Sequence, residues 1–168
     1  MSQPLWAPWR MEYVLSKKQK DSCVFCLEDA VPDASLEERL VVWSGPAGVV
    51  MLNRYPFAAG HLLVIPRAHI SDLEQLEPAA HDALFRLLRE VVVRLKRAVR
   101  CEGVNVGINL GAAAGAGIAE HLHVHVVPRW SGDTNFMPVV AETRVIPQAL
   151  TETRRHLATF FADLNPDE

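Results

Sequence analysis

The chain has 168 residues, 49% of them hydrophobic and 22% charged, which at roughly 150 residues per domain is one globular domain, 1–168, able to bury a core without disulfides. Lys plus Arg number 17 and Asp plus Glu 20, a net charge of −3. That excludes a broadly basic nucleic-acid binder, yet leaves room for a local anion site of backbone amides and histidines.

The opening Met1–Trp6 has no basic leader before an apolar core, so no signal peptide is expected. The longest weakly polar stretch, Gly107–Ala119, is far short of the about 20 apolar residues of a membrane span. A cytoplasmic protein with no membrane partner is the expectation. Residues 1–22 read as an N-terminal arm whose Trp6, Trp9 and Tyr13 are aromatic enough to dock on the fold or on a second subunit. Strands are predicted at Leu40–Trp43, at Gly48–Leu52 and at His61–Ile65, the last closed by Pro66, with 53–60 as a loop. Pro78 suits a first helical turn, and Leu84, Leu87, Leu88, Val91, Val92 and Leu95 then recur at helical spacing, so a long helix should run to about Arg100. Its Arg86, Arg89 and Arg97 read as a solvated face, and His81 as a surface residue. Val104–Leu110 alternates as a strand, with Asn105, Gly107 and Asn109 on one face. A Gly-rich loop, 111–117, leads to a second alternating strand, His121–Val127, ended by Pro128. Residues 129–168 form a C-terminal extension with a helix at Leu150–Leu164, which carries His156 on its surface. The sum is an α+β fold: a mainly antiparallel sheet packed by one long helix and a C-terminal helix.

His121-Leu122-His123-Val124-His125 puts three of the seven histidines at alternate positions. In a strand all three share one face while Leu122, Val124 and Val126 enter the core. At about 3.3 Å per residue, neighbours stand roughly 6.6 Å apart and the outer two roughly 13 Å. A single phosphate cannot touch all three, so the row must divide its work. A histidine-rich face without a role explains neither the spacing nor the Gly/Asn-rich approach. A catalytic three-histidine metal site is one option. Nucleophilic catalysis ranks above it: no further ligand stands nearby, and imidazole, with an ordinary pKa near 6.5, is mostly neutral and nucleophilic at pH 7.

The His-φ-His-φ-His-φ-φ run closely resembles the signature of the histidine-triad (HIT) nucleotide hydrolases and transferases. The similarity extends to Leu52-Asn53-Arg54, to Gly60-His61 through Pro66-Arg67-Ala68-His69, and to the Gly-rich loop. The flanks, Leu5–Tyr13 and Arg129–Val139, look like a bacterial branch related to diadenosine tetraphosphate phosphorylases. The resemblance implies a HIT-like fold, commonly dimeric or of higher order, acting on a dinucleoside polyphosphate or mononucleotide. It implies that His123 attacks the α-phosphorus and that water or inorganic phosphate releases the nucleotide. His125 would bind phosphate oxygens and assist proton traffic, with His61 behind the phosphate. Asn53 would bind the ribose and Asn109 the phosphate, with backbone amides of the loop, Gly115 and Gly117 among them, adding donors. One departure stands out: where the family often has Gln or Ser before the triad, this chain has Ala116-Gly117-Ile118-Ala119, with no side-chain donor.

Cys23-Val24-Phe25-Cys26 needs two more ligands for a closed tetrahedral zinc site. His69 and His121 are the candidates, and some relatives of the family use a histidine from each of these regions beside a Cys pair. A structural Zn2+ on Cys23, Cys26, His69 and His121 is therefore expected, with no organic cofactor. A redox pair lacks the strand-to-helix setting it would need, and two packed thiols are the remaining alternative. Cys101 reads as a packed thiol. Two functional classes stay open: an enzyme cleaving dinucleoside polyphosphates or AMP phosphoramidates, and a zinc-stabilised nucleotide sensor without useful turnover.

Overall fold

The computed structural model describes residues 23–28, 32–133 and 149–166. The expected arm 1–22, with Trp6 and Trp9, and positions 134–148 of the expected extension lie outside the described residues. In chain order the elements are α1 (Asp33–Glu38), β1 (Val41–Gly45), β2 (Gly48–Leu52), β3 (Leu62–Ile65), α2 (Pro78–Val99), β4 (Gly103–Ile108), β5 (Val124–Arg129) and α3 (Leu150–Phe161), with 3-10 turns at Leu73–Gln75 and Ala112–Ala114. The strands form one sheet in the order β1-β2-β3-β5-β4, and every neighbouring pair is antiparallel. This is the α+β architecture anticipated from the sequence.

The two faces of the sheet bury different things. On one, Val50 and Leu52 of β2, Leu62 and Val64 of β3, and Val124 and Val126 of β5 meet Leu84, Leu87, Leu88, Val91 and Leu95 of α2 and Leu157 and Phe161 of α3. The helical spacing of the α2 residues and the period-two alternation of the strands interlock here. Val92 sits at the margin, only partly buried. Helix α3 is tied down by polar contacts as well: Arg94 Nη1 donates to the Phe160 carbonyl at 2.7 Å and Arg154 Nε to the Val41 carbonyl at 2.8 Å. His156 is exposed as expected, although its Nε2 reaches the Ala98 carbonyl at 2.9 Å. The β1–β2 hairpin brings Gly48 so close to β3 that a Cβ there would stand 2.5 Å from the Ile65 carbonyl oxygen, so only glycine fits.

Three local departures from the sequence reading have simple causes. Helix α1 is unanticipated because it buries none of its residues and so carries no apolar period. Strand β4 ends at Ile108 rather than Leu110, and because it is the outermost strand only Val104 and Ile108 rest on the core. Val106 is 48% exposed and Leu110 37%. Strand β5 begins at Val124, not His121. Residues 121–123 keep the in–out alternation but leave the ladder, and the Leu122 N–H donates to the Ile70 carbonyl at 2.6 Å instead.

The second face carries the histidines. Its buried floor is Val41, Val49, Met51, Leu63, Ile65 and Phe25. Cross-strand pairing makes one row across all five strands, Gly107–His125–Leu63–Met51–Val41.

Candidate active site and metal centre

Hydrogen bonds assign the protons on the three imidazoles nearest this row. His123 Nδ1 lies 2.8 Å from the His121 carbonyl oxygen, which can only accept, so Nδ1 carries the proton and Nε2 keeps its lone pair. The ring is 5% exposed, and burial pushes its pKa below the ordinary histidine value, partly offset by that backbone hydrogen bond. The neutral, nucleophilic form is the one this environment favours. The other two rings are linked. The Phe57 N–H donates to His61 Nδ1 at 3.1 Å, and His61 Nε2 lies 3.0 Å from His125 Nδ1. With its Nδ1 accepting, neutral His61 bears its proton on Nε2 and donates it to His125 Nδ1. Neutral His125 then carries its own proton on Nε2. The rings of His123 and His125 stand 5.0 Å apart at 70°. A lone pair and an N–H donor are thus presented side by side.

Asn53, at the end of β2, accepts the Tyr55 N–H on Oδ1 at 2.9 Å, and its own N–H bonds the His61 carbonyl, also at 2.9 Å. The loop that bears it is thereby braced on both sides. Asn109 lies one residue beyond β4, half-buried. The Gly-rich loop departs from expectation: the N–H groups of Ala114, Gly115 and Ala116 bond the Gly111 and Ala112 carbonyls inside the loop. Of the two loop glycines expected as donors, Gly115 has its amide engaged in that turn.

Gly107 escaped the sequence reading as a site residue. It pairs with His125 on the same face, and a Cβ built there meets nothing within 4 Å. A glycine in a strand interior often marks a bulge, a bend or a close approach of a ligand or another backbone, and that signal was present in Val104-Asn105-Val106-Gly107-Ile108.

The four expected metal ligands come together. Cys23 Sγ lies 3.3 Å and Cys26 Sγ 3.6 Å from His121 Nδ1, Cys26 Sγ lies 3.3 Å from His69 Nδ1, and all four ligand atoms fall within 4.8 Å of one another. Tetrahedral zinc with bonds of about 2.0–2.3 Å needs ligand separations of about 3.5 Å, so the group fits. His121 is oriented for ligation, since its Nε2–H donates to the Pro66 carbonyl at 3.0 Å and leaves Nδ1 as the ligand atom. Burial holds its pKa down and keeps it neutral, while burial and the neighbouring Cys23 push the Cys26 thiol up. A divalent cation would reverse the preference of the thiols.

The HIT domain model matches residues 37–132. The chain belongs to the HIT family. The match includes every histidine of the site but stops short of Cys23 and Cys26. A protein of Mycobacterium tuberculosis named AP-4-A phosphorylase is 42% identical over 165 residues, covering 95% of this chain and 85% of that protein. An uncharacterised HIT-like protein of Saccharolobus solfataricus is 27% identical, covering 80% of this chain and 99% of its own. Among solved structures, a zinc-bound histidine triad family protein from Mycobacterium smegmatis superposes with a TM-score of 0.64 at 26% identity, covering 88% of this chain and 98% of that one. A hypothetical histidine triad nucleotide-binding protein from Sulfolobus tokodaii shares the fold, with a TM-score of 0.64 at 24% identity, over 84% of this chain and 93% of that one.

The space over Gly107 generates a prediction. Gly107→Val should place a branched side chain beside His125 and weaken AMP binding roughly ten-fold by titration calorimetry, with the melting temperature within a few degrees of wild type. Unchanged affinity would show that ligands do not use this space.

Proposed function

We propose that this HIT protein cleaves dinucleoside polyphosphates, diadenosine tetraphosphate foremost, at the α-phosphorus. The carrying observation is the hydrogen bond from His123 Nδ1–H to the His121 carbonyl, which leaves the Nε2 lone pair for attack. The likeness to a protein named AP-4-A phosphorylase gives the substrate class. In the first step the Nε2–phosphorus bond forms and the bond from the α-phosphorus to its bridging oxygen breaks, releasing ATP and leaving adenylyl-His123. In the second, an oxygen of inorganic phosphate attacks the same phosphorus and releases ADP; water in that place releases AMP. Phosphate is the favoured acceptor.

His125, with its proton on Nε2, binds phosphate oxygens and donates a hydrogen bond to the leaving oxygen, which departs as the ATP anion. It does so without help from a neighbouring side-chain donor, which Ala116-Gly117-Ile118-Ala119 lacks. His61 keeps the His125 ring in register. Asn53 takes the ribose hydroxyls and Asn109 a phosphate oxygen, while Gly115 and Gly117 let the loop backbone lie along the phosphate chain. Incubation with diadenosine tetraphosphate, with and without phosphate, tests this by chromatography. ADP plus ATP only with phosphate is expected, and His123→Ala should lower turnover at least ~10³-fold with nucleotide binding retained. AMP plus ATP without phosphate would make it a hydrolase. The donor-poor loop favours a second reading, a nucleotide sensor, and tight AMP binding with no turnover would establish that one. Turnover of AMP phosphoramidates alone would keep the nucleophile and change the leaving group.

The metal on Cys23, Cys26, His69 and His121 is Zn2+ in this reading, and its role is structural: it joins the cysteine turn to the segment preceding β5. A reducing cytoplasm suits the two thiols, and none of the described helices is long and apolar enough to cross a membrane. Chelation under reducing conditions should lower the melting temperature by several degrees and turnover with it, both restored by added zinc. A chelated protein with unchanged melting would remove the structural role.

A homodimer, or a higher homo-oligomer containing it, forms through β4. Among the described residues that strand pairs on one side only, and it exposes Val106, with Leu110 exposed just beyond it, an edge that soluble proteins cover or charge. Val106→Lys should convert the dimer to monomer in analytical ultracentrifugation. A persistent dimer would move the interface elsewhere.

A further inference from the structure

Phe25 sits between the two thiols of the Cys23–Cys26 turn, and its ring is turned inward, 6% exposed, onto the histidine row. Its centroid lies 5.0 Å from that of His123 at 53° and 5.8 Å from that of His121 at 84°. The turn holding it is firmly set. The Cys26 N–H bonds the Cys23 carbonyl at 3.2 Å, the Phe25 N–H points to Cys23 Sγ at 3.4 Å, and Arg39 Nη2 donates to the carbonyls of Val24 at 2.6 Å and Cys26 at 2.7 Å.

His123 also meets the ring of His125, 5.0 Å away at 70°. The imidazole is therefore in contact with two rings and tethered at one corner by its Nδ1–H bond to the His121 carbonyl. A single hydrogen bond leaves a ring able to rock or flip about its Cβ–Cγ bond. Rings at these separations lie in the range of favourable aromatic contact, and a rocking or flipping imidazole would give up its contact with both.

We propose that Phe25 is a positioning residue: it holds the His123 imidazole with Nε2 toward the reacting phosphorus, and it does so from the metal-binding turn, so that metal loading and nucleophile alignment are coupled. The proposal rests on His123 being the nucleophile. It gives the Cys-x-x-Cys turn a second role beyond ligation. The residue at its third position, which the ligand pattern leaves unspecified, touches both the first and the second histidine of the triad.

The test uses the full-length, zinc-loaded protein and Phe25→Leu, which keeps an apolar side chain in the turn but removes the flat ring. Zinc content and KM for diadenosine tetraphosphate should stay within about two-fold of wild type, while kcat falls about three- to ten-fold, the scale of one lost aromatic contact; Phe25→Ala should fall further. In ¹⁵N-histidine spectra the wild-type His123 should show the Nδ1–H tautomer alone. Phe25→Leu, and the wild type after chelation, should both show averaged tautomers. Wild-type kcat and a single tautomer in Phe25→Leu would overturn the proposal. So would a loss of kcat that excess zinc fully restores, because Phe25 would then serve only to retain metal. Failure of the underlying reading looks different: wild-type protein would turn over substrate without α-phosphate label appearing on His123.

Discussion

The site depends on one constraint, the register of the strand that carries the triad. Leu122, Val124 and Val126 are locked into the apolar layer beneath α2 and α3, so the residues between them have no choice but to face the opposite side. A slip by one residue would bury imidazoles in that layer and expose three large apolar side chains. The helices therefore orient the histidines without touching them. The same alternation in β3 places Leu63 beside His125, and in β4 it places the bare backbone of Gly107 on the other flank.

On this frame the histidines are told apart by what their second nitrogen meets. His121 gives its Nε2–H to a carbonyl and turns Nδ1 to the thiols. His123 gives its Nδ1–H to a carbonyl and keeps Nε2. His125 receives at Nδ1 from His61. Three chemically identical side chains thus present different nitrogens, Nδ1 toward the thiols at His121, an Nε2 lone pair at His123 and an Nε2–H at His125, through contacts supplied almost wholly by main-chain carbonyls and amides. The pull on pKa works in the same direction at His121 and His123, since burial disfavours the charged form of both.

Much of this was legible in the chain. The sheet and helices follow from period-two and helical spacing, and Cys23, Cys26, His69 and His121 do converge as their types suggested. What stayed hidden depends on partners distant in sequence. The shortened β5 follows from Leu122 bonding Ile70, and the exposure of Val106 from β4 lying at the sheet's edge. Helix α1 buries nothing and so left no pattern to read. The loop's amides read as available because glycine is permissive, yet the turn at Ala112–Ala114 draws several of them inward. Phe25 went unnoticed because a ligand pattern specifies only its cysteines.

The chain of imidazoles behind the site begins at a peptide group. The Phe57 N–H, not a side chain, decides which nitrogen of His61 holds its proton, and through it the tautomer of His125. Every amino acid but proline supplies that N–H, so the protonation order two rings away is insulated from almost any substitution at position 57. The aromatic ring there is left to answer to other demands, such as its stacking on His61 at 5.0 Å. A proton-bearing network anchored in this way can tolerate drift in the loop that carries it, provided the backbone keeps its course.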